Sequence, residues 1–369
     1  MKQSPISGDA GQEFIYTLRI DAATWKPSRT NLQLSLAQLQ HLADDFDLGR
    51  IIRMDVPLNT QCNTTEPFQT GQGTFLLRAR HGEEFVERVE YLHFLIDGLI
   101  AHGFPAPPVI RSKKGKSWTH WGERIVEVHA FMPHDPGIHR DWRRMHAAAS
   151  ALGDLHRYLT ETAEGVTPVP PEMRNDVTPR QCWMMLDEAD AMLRRDYANA
   201  EQIEAGLEVI AHAKRLLEPL LHDYERTVGS LPWMMVHGDY HFWNILYRAD
   251  QIASVVDYDF AQERERLFDV AYAMQSIISH MRAIQTKEIS SASQLPWREA
   301  RMWVDLYDDA AHLPLTDIER KWLPREMLRI FLVSVATSAA QESPLNALLE
   351  IRSELPLFEW IGAQKNLFV

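Results

Sequence analysis

The first third of the chain alternates short hydrophobic runs with turn-rich segments, a pattern typical of β-strands. One longer segment, from Glu83 to His102, instead has apolar residues at helical spacing, which predicts a helix that buries one face. The predicted strands cover residues 50–56, 64–70, 74–80 and 124–132. The apolar positions of the helix are Phe85, Val89, Leu92, Leu95, Ile96 and Leu99.

After Pro133 the hydrophobic pattern becomes mainly helical. Asp141 is placed to cap a helix whose apolar stripe runs to Leu159. Two capping boxes predict further helix starts: Ser35 with Gln38, and Thr316 with Glu319. More helices are predicted at 181–197, at 202–228 and from residue 269 onward, with short strands at 234–236, 245–247 and 252–256.

The pattern therefore predicts an α+β protein built from two units. The first unit, residues 1–132, is small and rich in sheet, and its residues 1–30 show too little periodicity to predict more than a leader. The second unit, residues 133–369, is larger and helical, and it carries a small cluster of strands. A chain of 369 residues is long enough for two such units.

Composition narrows the classes of function. The chain has 38 basic and 51 acidic residues, a formal charge of −13, so a protein that binds nucleic acid without sequence preference is not expected. Two cysteines, Cys62 and Cys182, exclude a disulfide framework and a cysteine-rich zinc site. The apolar runs are too short to span a bilayer. We expect a cytoplasmic protein with no membrane partner.

The densest set of polar side chains lies on the short strands of the second unit. Asp239 and Asn244 share one loop between two apolar strands, and Asp257 ends the next strand. Neighbouring strands can bring these three oxygen-bearing side chains to one edge. Hard cations such as Mg²⁺ prefer oxygen ligands, which suits Asn244 and Asp257 and leaves Asp239 to accept a hydroxyl proton.

Two nearby features remain open at the level of sequence. Asp259 follows Asp257 closely and is either a second metal contact or a brace for the loop. His237 and His241 suggest a zinc site by their spacing, but the Glu of a His-Glu-x-x-His helix is absent. Structural hydrogen bonding is therefore favoured for both histidines.

The segments His237–Leu246, Val255–Ala261 and Phe268–Ala271 together resemble the aminoglycoside phosphotransferase and choline kinase superfamily, whose members phosphorylate small molecules. The resemblance implies a bilobal protein-kinase-like fold, with a small sheet-rich lobe before a larger helical lobe. It also implies ATP as phosphate donor and Mg²⁺ held by Asn244 and Asp257. Asp239 would then be the catalytic carboxylate, and Asp269 would support its loop.

The resemblance assigns the nucleotide to the first unit. Asn63 and Thr64 would lie in a turn that covers the phosphates. No lysine occurs between Lys26 and Lys113, so Arg78 stands at the family's strand-lysine position, with Arg80 as the rival. Glu90, with Glu87 as the rival, would be its partner on the helix. The segment from Glu127 through His129 to Met132 would either hold adenine or form an edge strand leading into a linker.

The acceptor is less defined than the reaction. The resemblance implies a hydroxyl of a small molecule, such as an amino alcohol, an amino acid, a sugar or an aminoglycoside. Tyr307, residues 314–316, Glu319 and Pro324 resemble the homoserine-kinase-like and spore-coat-kinase-like branches more than the antibiotic-resistance branch. The alternatives are a protein Ser/Thr kinase of the same fold and a nucleotide-binding pseudokinase. The oligomeric state stays open.

Overall fold

The computed structural model describes residues 34–55, 58–59, 64–81, 86–135, 141–171, 177–196, 200–285, 295–340 and 344–369. Ten strands and ten helices lie in these ranges. The strands are β1 Ile51–Met54, β2 Leu58–Asn59, β3 Thr64–Thr70, β4 Gly73–His81, β5 Thr119–Trp121, β6 Arg124–Ala130, β7 Trp233–Val236, β8 Ile245–Arg248, β9 Gln251–Val255 and β10 Gln262–Glu265. The helices are α1 Leu36–Asp45, α2 Val86–Ala101, α3 Trp142–Ala163, α4 Pro179–Asp196, α5 Ala200–Val228, α6 Leu267–Gln285, α7 Trp297–Ala310, α8 Asp317–Ala339, α9 Pro344–Ile351 and α10 Leu355–Ala363.

The N-terminal strands form one antiparallel sheet in the order β1-β3-β4-β6-β5, with β2 paired to β3. Side chains alternate between its two faces. One face is apolar and packs against α1 through residues such as Phe68, Leu77 and Val128. The opposite face, which we call the polar face, carries Arg78, Arg80, Glu127 and His129.

The buried apolar side chains of the described residues form two hydrophobic cores. The smaller one lies between α1 and the apolar face of the sheet. The larger one contains the helices after β6, and it also includes the apolar side of α2 through residues such as Leu92, Leu95 and Leu99. Helix α2 therefore packs with the second unit although it precedes residue 132, and the division at residues 132 and 133 stays a prediction.

Most of the predicted elements are present. The two capping boxes are formed, Asp141 caps α3, and the described chain from Asp269 onward is mainly helical. Strand β10 was not predicted, because its sequence Gln-Glu-Arg-Glu has no hydrophobic alternation. Pairing along β7 forms it, with Gln262 opposite Val236. The predicted leader, residues 1–30, lies outside the described residues.

Strands β7 to β10 form two short antiparallel pairs, β7 with β10 and β8 with β9. The loop from His237 to Asn244 connects these pairs and ends in a single 3₁₀ turn, Phe242–Asn244. Among the described helices, none combines the length and the hydrophobicity that crossing a membrane requires.

Candidate active site

The loop after β7 has a backbone that depends on Gly238. Its φ of +79° is in the left-handed region, which residues other than glycine disfavour. A Cβ at this position would also collide with the carbonyl group of Phe260. The glycine therefore allows the loop to pass closely over the segment that follows β9.

Asp269, in the first turn of α6, fixes the same loop by hydrogen bonds to its backbone. Its Oδ2 accepts a hydrogen bond from the His237 amide at 2.8 Å, and its Oδ1 accepts one from the Gly238 amide at 2.9 Å. His156 Nε2 lies 3.1 Å from Asp269 Oδ2, and its Nδ1 lies 2.9 Å from the Tyr307 hydroxyl. A buried chain of hydrogen bonds thus links helices α3, α6 and α7 to the loop, in agreement with the supporting role predicted for Asp269.

Asp239 is almost fully buried, and Asn244 and His241 fix its side chain. The Asn244 amide nitrogen, Nδ2, donates to the backbone oxygen and to Oδ2 of Asp239, both at 3.0 Å. His241 Nε2 lies 3.5 Å from the same Oδ2. Burial raises the pKa of Asp239, but His241 and His237 outweigh burial and keep this pKa below its ordinary value. Asp239 is therefore an ionised carboxylate at neutral pH.

Asp257 lies beside this pair. The Val256 amide donates to the Asn244 carbonyl at 2.9 Å, and the pairing of Ile245 with Val255 joins the two strands just before it. Asp257 has a φ of +67°, an uncommon backbone conformation that recurs at functional sites. The backbone contacts bring Asp257 next to the loop of Asn244, and the charge of Asp239 acts on Asp257. That the three side chains form one catalytic and metal-binding site stays a prediction.

The polar face of the sheet lies against Asp257 and Asp259. Arg78 Nη2 contacts Asp257 Oδ1 at 2.9 Å and Asp259 Oδ2 at 2.7 Å. Arg80 Nη2 contacts Asp259 Oδ1 at 2.7 Å. Both candidate arginines thus reach the site, but of the two only Arg78 contacts Asp257. Asp259 therefore forms ion pairs with both arginines, one through each carboxylate oxygen.

The two carboxylates differ in electrostatics. Burial and the neighbouring charges of Asp259 and Asp239 raise the pKa of Asp257, although Arg78 opposes them. Arg78 and Arg80 keep the pKa of Asp259 below its usual range despite its burial. About 40% of the Asp257 side chain remains exposed, against 11% for Asp259. Asp257 is therefore the carboxylate that an incoming cation would reach.

The donors at this edge fit a hard divalent cation. The bonds from Asn244 to Asp239 use the amide nitrogen and leave Oδ1 of Asn244 for a cation. Asp257 adds a carboxylate that is about 40% exposed and contacts Arg78 through Oδ1. Amide and carboxylate oxygens are ligands that Mg²⁺ accepts. The residues present therefore fit the metal that the sequence predicts.

The helix partner predicted for Arg78 is wrong. Glu90 is exposed and accepts a hydrogen bond from Trp118 Nε1 at 2.9 Å, with Lys116 Nζ at 3.5 Å, and it does not pair with Arg78. Glu87, the rival, is also exposed. The apolar stripe of α2 faces the larger core, and both glutamates lie off that stripe.

The remaining nucleotide-side predictions have mixed outcomes. Asn63 lies outside the described residues, and Thr64 begins β3 opposite Ala79. Glu127 and His129 are buried on the polar face of the sheet. The backbone amides of Ala130 and Phe131 donate to the carbonyls of Pro108 and Thr74. These two amides are therefore not available to hydrogen-bond adenine, and the next amide along the chain is that of Met132.

Sequence reasoning missed one residue of this region, Arg88. It is buried on the inner side of α2, and its Nη2 donates to the carbonyls of Asp259 at 2.9 Å and Ala261 at 2.6 Å. A basic residue beside the apolar stripe of an amphipathic helix is the signal that would have identified it.

The chain is similar to several known proteins. A homoserine kinase from Rhodopseudomonas palustris (strain BisA53) is 20% identical over 231 residues, 63% of this chain and 65% of that relative, so just under two thirds of its length is matched. A microcompartment-associated aminopropanol kinase superposes with a TM-score of 0.59 at 15% identity, covering 89% of this chain and 99% of that one. A spectinomycin phosphotransferase, solved in complex with ADP and spectinomycin, gives 0.56 at 10% identity, covering 90% and 99%.

The two structural likenesses confirm the predicted kinase-like α+β fold. The family model described as "Phosphotransferase enzyme family" matches residues 63–303. That range contains most of the N-terminal sheet, the loop of Asp239 and Asn244, and the segment of Asp257. The chain therefore belongs to the phosphotransferase enzyme family.

Proposed function

We propose that this protein transfers the γ-phosphate of ATP, with Mg²⁺, to a hydroxyl group of a small molecule. The convergence of Asp239, Asn244 and Asp257 beside Arg78 carries this proposal. One carboxylate faces the acceptor, two oxygen donors suit the metal, and a guanidinium stands where phosphates would bind. This is the set of parts that phosphoryl transfer between ATP and an alcohol requires.

The residues act in one step. Asp239 orients the acceptor hydroxyl, whose oxygen attacks the γ-phosphorus as the bond to the β-phosphate oxygen breaks, and Asp239 receives the hydroxyl proton. Asn244 and His241 hold Asp239 Oδ2 and so fix the side chain in place. Asn244 and Asp257 would hold Mg²⁺, which neutralises the charge of the phosphates. Arg78 offers a fork of donors to the same phosphates.

The acceptor we propose is a small hydroxyl compound that carries an amine. The names of the relatives support this class, since homoserine, aminopropanol and spectinomycin kinases act on such compounds. Release of ADP should be measured with MgATP and a panel of amino alcohols, hydroxyl-bearing amino acids, sugars and aminoglycosides. Radiolabelled ATP with lysate proteins is the parallel arm for a protein acceptor.

Asp239→Asn tests the mechanism. Loss of the proton acceptor should lower turnover by about 10²- to 10⁴-fold while ATP still binds. Asp250→Asn is the matched control, because Asp250 is an exposed carboxylate in the nearby turn between β8 and β9. Full turnover in the Asp239 variant would refute the mechanism. ATP binding without transfer to any acceptor would favour the pseudokinase alternative.

A further inference from the structure

Glu127 is a buried carboxylate for which the proposed reaction has no direct use. It lies in the middle of β6 with no exposed surface. Its Oε1 accepts a hydrogen bond from Arg80 Nε at 2.9 Å and lies 2.8 Å from Arg80 Nη2. Arg78 Nε is 3.9 Å from the same oxygen. One carboxylate oxygen therefore serves both arginines.

The other oxygen of Glu127 connects to helix α2. His93 Nε2 lies 2.6 Å from Oε2, and His93 is buried in the inner side of that helix. Burial lowers the pKa of His93, so the ring is neutral and donates from Nε2. Burial raises the pKa of Glu127, but Arg80, His129 and His93 outweigh burial and keep this pKa well below its ordinary value.

Helix α2 itself offers the arginines no carboxylate. Its acidic residues Glu87, Glu90 and Asp97 are exposed, and its buried polar residues include Arg88 and His93. In protein kinases the corresponding helix supplies a glutamate that pairs with the strand cation. Here Glu127 stands directly opposite Arg78 in the register of β4 and β6, so the two side chains share one face of the sheet.

We propose that Glu127 is the positioning carboxylate of this site, which aligns Arg78 and Arg80 for the phosphates of the nucleotide and takes over the task of a helix glutamate. This inference rests on the proposed function in one respect: the arginines are taken to hold phosphates. Arg78, Arg80 and Arg88 face Asp257, Asp259 and Glu127, three charges of each sign. Without the charge of Glu127, Arg80 keeps the ion pair with Asp259, Arg78 keeps those with Asp257 and Asp259, and neither arginine has a carboxylate on its own sheet to fix its direction.

A metal ion is the competing explanation for this cluster. Single ligand atoms of His93, Glu127 and His129 lie within 4.8 Å of one another, and neither ring nitrogen of His129 has a hydrogen-bond partner. However, both oxygens of Glu127 are already engaged, Oε1 by Arg80 and Oε2 by His93. These contacts favour the positioning role over a metal site.

The experiment measures the affinity for MgATP without acceptor, by calorimetry, and KM for each substrate separately. Glu127→Gln should weaken MgATP binding and raise its KM by about 10- to 100-fold, as loss of a supporting partner does at other sites. KM for the acceptor should change little. Glu66→Gln is the matched control: Glu66 is equally buried in the same sheet, but on the apolar face, away from the arginines.

A second variant relocates the charge. Because His93 Nε2 contacts Glu127 Oε2, the double variant His93→Glu with Glu127→Gln places a carboxylate on the helix at nearly the same position. It should recover most of the lost MgATP affinity, which a loss of fold would not allow. Should Glu127→Gln fail to fold, Glu127→Asp keeps the charge with a shorter reach and is expected to weaken MgATP binding as well.

Each result decides the inference. Unchanged MgATP affinity in Glu127→Gln would overturn it, and so would equal losses in Glu127→Gln and Glu66→Gln. Stoichiometric metal in the purified protein that is absent from His129→Ala would replace it with the metal explanation. If the wild-type protein binds MgATP but transfers phosphate to nothing, the proposed function fails while the affinity of Glu127→Gln still tests the inference. A wild-type protein that binds no nucleotide would overturn both.

Discussion

Asp239 shows how the loop sequence controls the state of one residue. Its Oδ2 is engaged by Asn244 and His241, and two neighbouring histidines keep its pKa low although the side chain is buried. A buried carboxylate with fewer partners would take up a proton and lose its ability to accept one. The polar residues around Asp239 therefore decide that it can act as a base.

Gly238 is the residue whose replacement tests the loop geometry. Gly238→Ala forces a Cβ onto the Phe260 carbonyl, so the loop must move and carry Asp239 with it. We expect turnover to fall by about 10²-fold or more, as displacements of about 1 Å can cause. Steady-state turnover and circular dichroism would measure the loss of activity and the retention of fold.

Gly103→Ala is the control for this variant. Gly103 has almost the same φ, +78°, but a Cβ there would meet nothing within 4 Å. It should cost about 1–2 kcal/mol of stability from backbone conformation and leave turnover unchanged. Equal loss of turnover in both variants would show that the close approach to Phe260 is unimportant.

The loop residues could be predicted from the sequence because their spacing is local. Asp239 and Asn244 lie on one short loop, and the strand ending at Asp257 comes next in the chain. The pairing of Arg78 with Glu127 could not be predicted, since it depends on which strands are neighbours in the sheet. The prediction of Glu90 as the partner of Arg78 is wrong, because Glu90 lies outside the buried stripe of α2 and contacts Trp118 instead.

At the scale of elements, a buried ion pair fixes the start of α8. Arg266, just before α6, contacts Glu319 with Nε at 2.8 Å and Nη2 at 2.8 Å, and both side chains are almost fully buried. Glu319 also accepts from the Thr316 amide as part of the capping box. The pattern of Thr316 and Glu319 predicted the helix start, but it did not indicate the arginine, which lies far away in sequence.

Removing Glu319 leaves the Arg266 charge buried with only the carbonyls of Leu313 and Pro314 as acceptors. Glu319→Ala should therefore lower the free energy of unfolding by about 3–5 kcal/mol. Thr316→Ala removes only the cap and should cost about 1 kcal/mol. Unfolding in urea, followed by fluorescence, would compare the two variants. Losses of similar size would mean that the ion pair with Arg266 contributes little beyond the capping box.

At the scale of the whole molecule, the described residues form two hydrophobic cores, and charged contacts join the N-terminal sheet to the elements of the larger core. The sequence indicated the two units through the change of periodicity after Pro133. It did not indicate that α2 packs into the larger core, because an apolar stripe does not specify its partner. The sheet and α2 are consequently connected by polar contacts, of which the His93–Glu127 contact is one.

The charged contacts around Glu127 should make stability depend on pH in a defined direction. The pKa of Glu127 is lowered well below its ordinary value of 4.5, so its ionised form stabilises the folded state above that pH. This contribution is lost as the pH falls from the unfolded pKa through the folded pKa. The difference in unfolding free energy between wild type and Glu127→Gln should be constant above about pH 5.5 and shrink below about pH 4.5.

Urea unfolding of both proteins between neutral pH and the onset of acid denaturation would measure this difference. Glu66→Gln should behave in the opposite sense, because burial raises the pKa of Glu66 and its ionised form destabilises the fold. A difference for Glu127→Gln that grows on acidification would contradict the assigned charge state.

The position of Glu127 on a strand has a consequence for control of the enzyme. Where a helix supplies the carboxylate, swinging that helix outward disables the site, and many protein kinases are switched in this way. Glu127 is tied to Arg78 by the hydrogen-bond ladder between β4 and β6, so an outward swing of α2 would leave the carboxylate beside its arginines. In the arrangement we propose, the alignment of the two arginines therefore does not require a glutamate on α2.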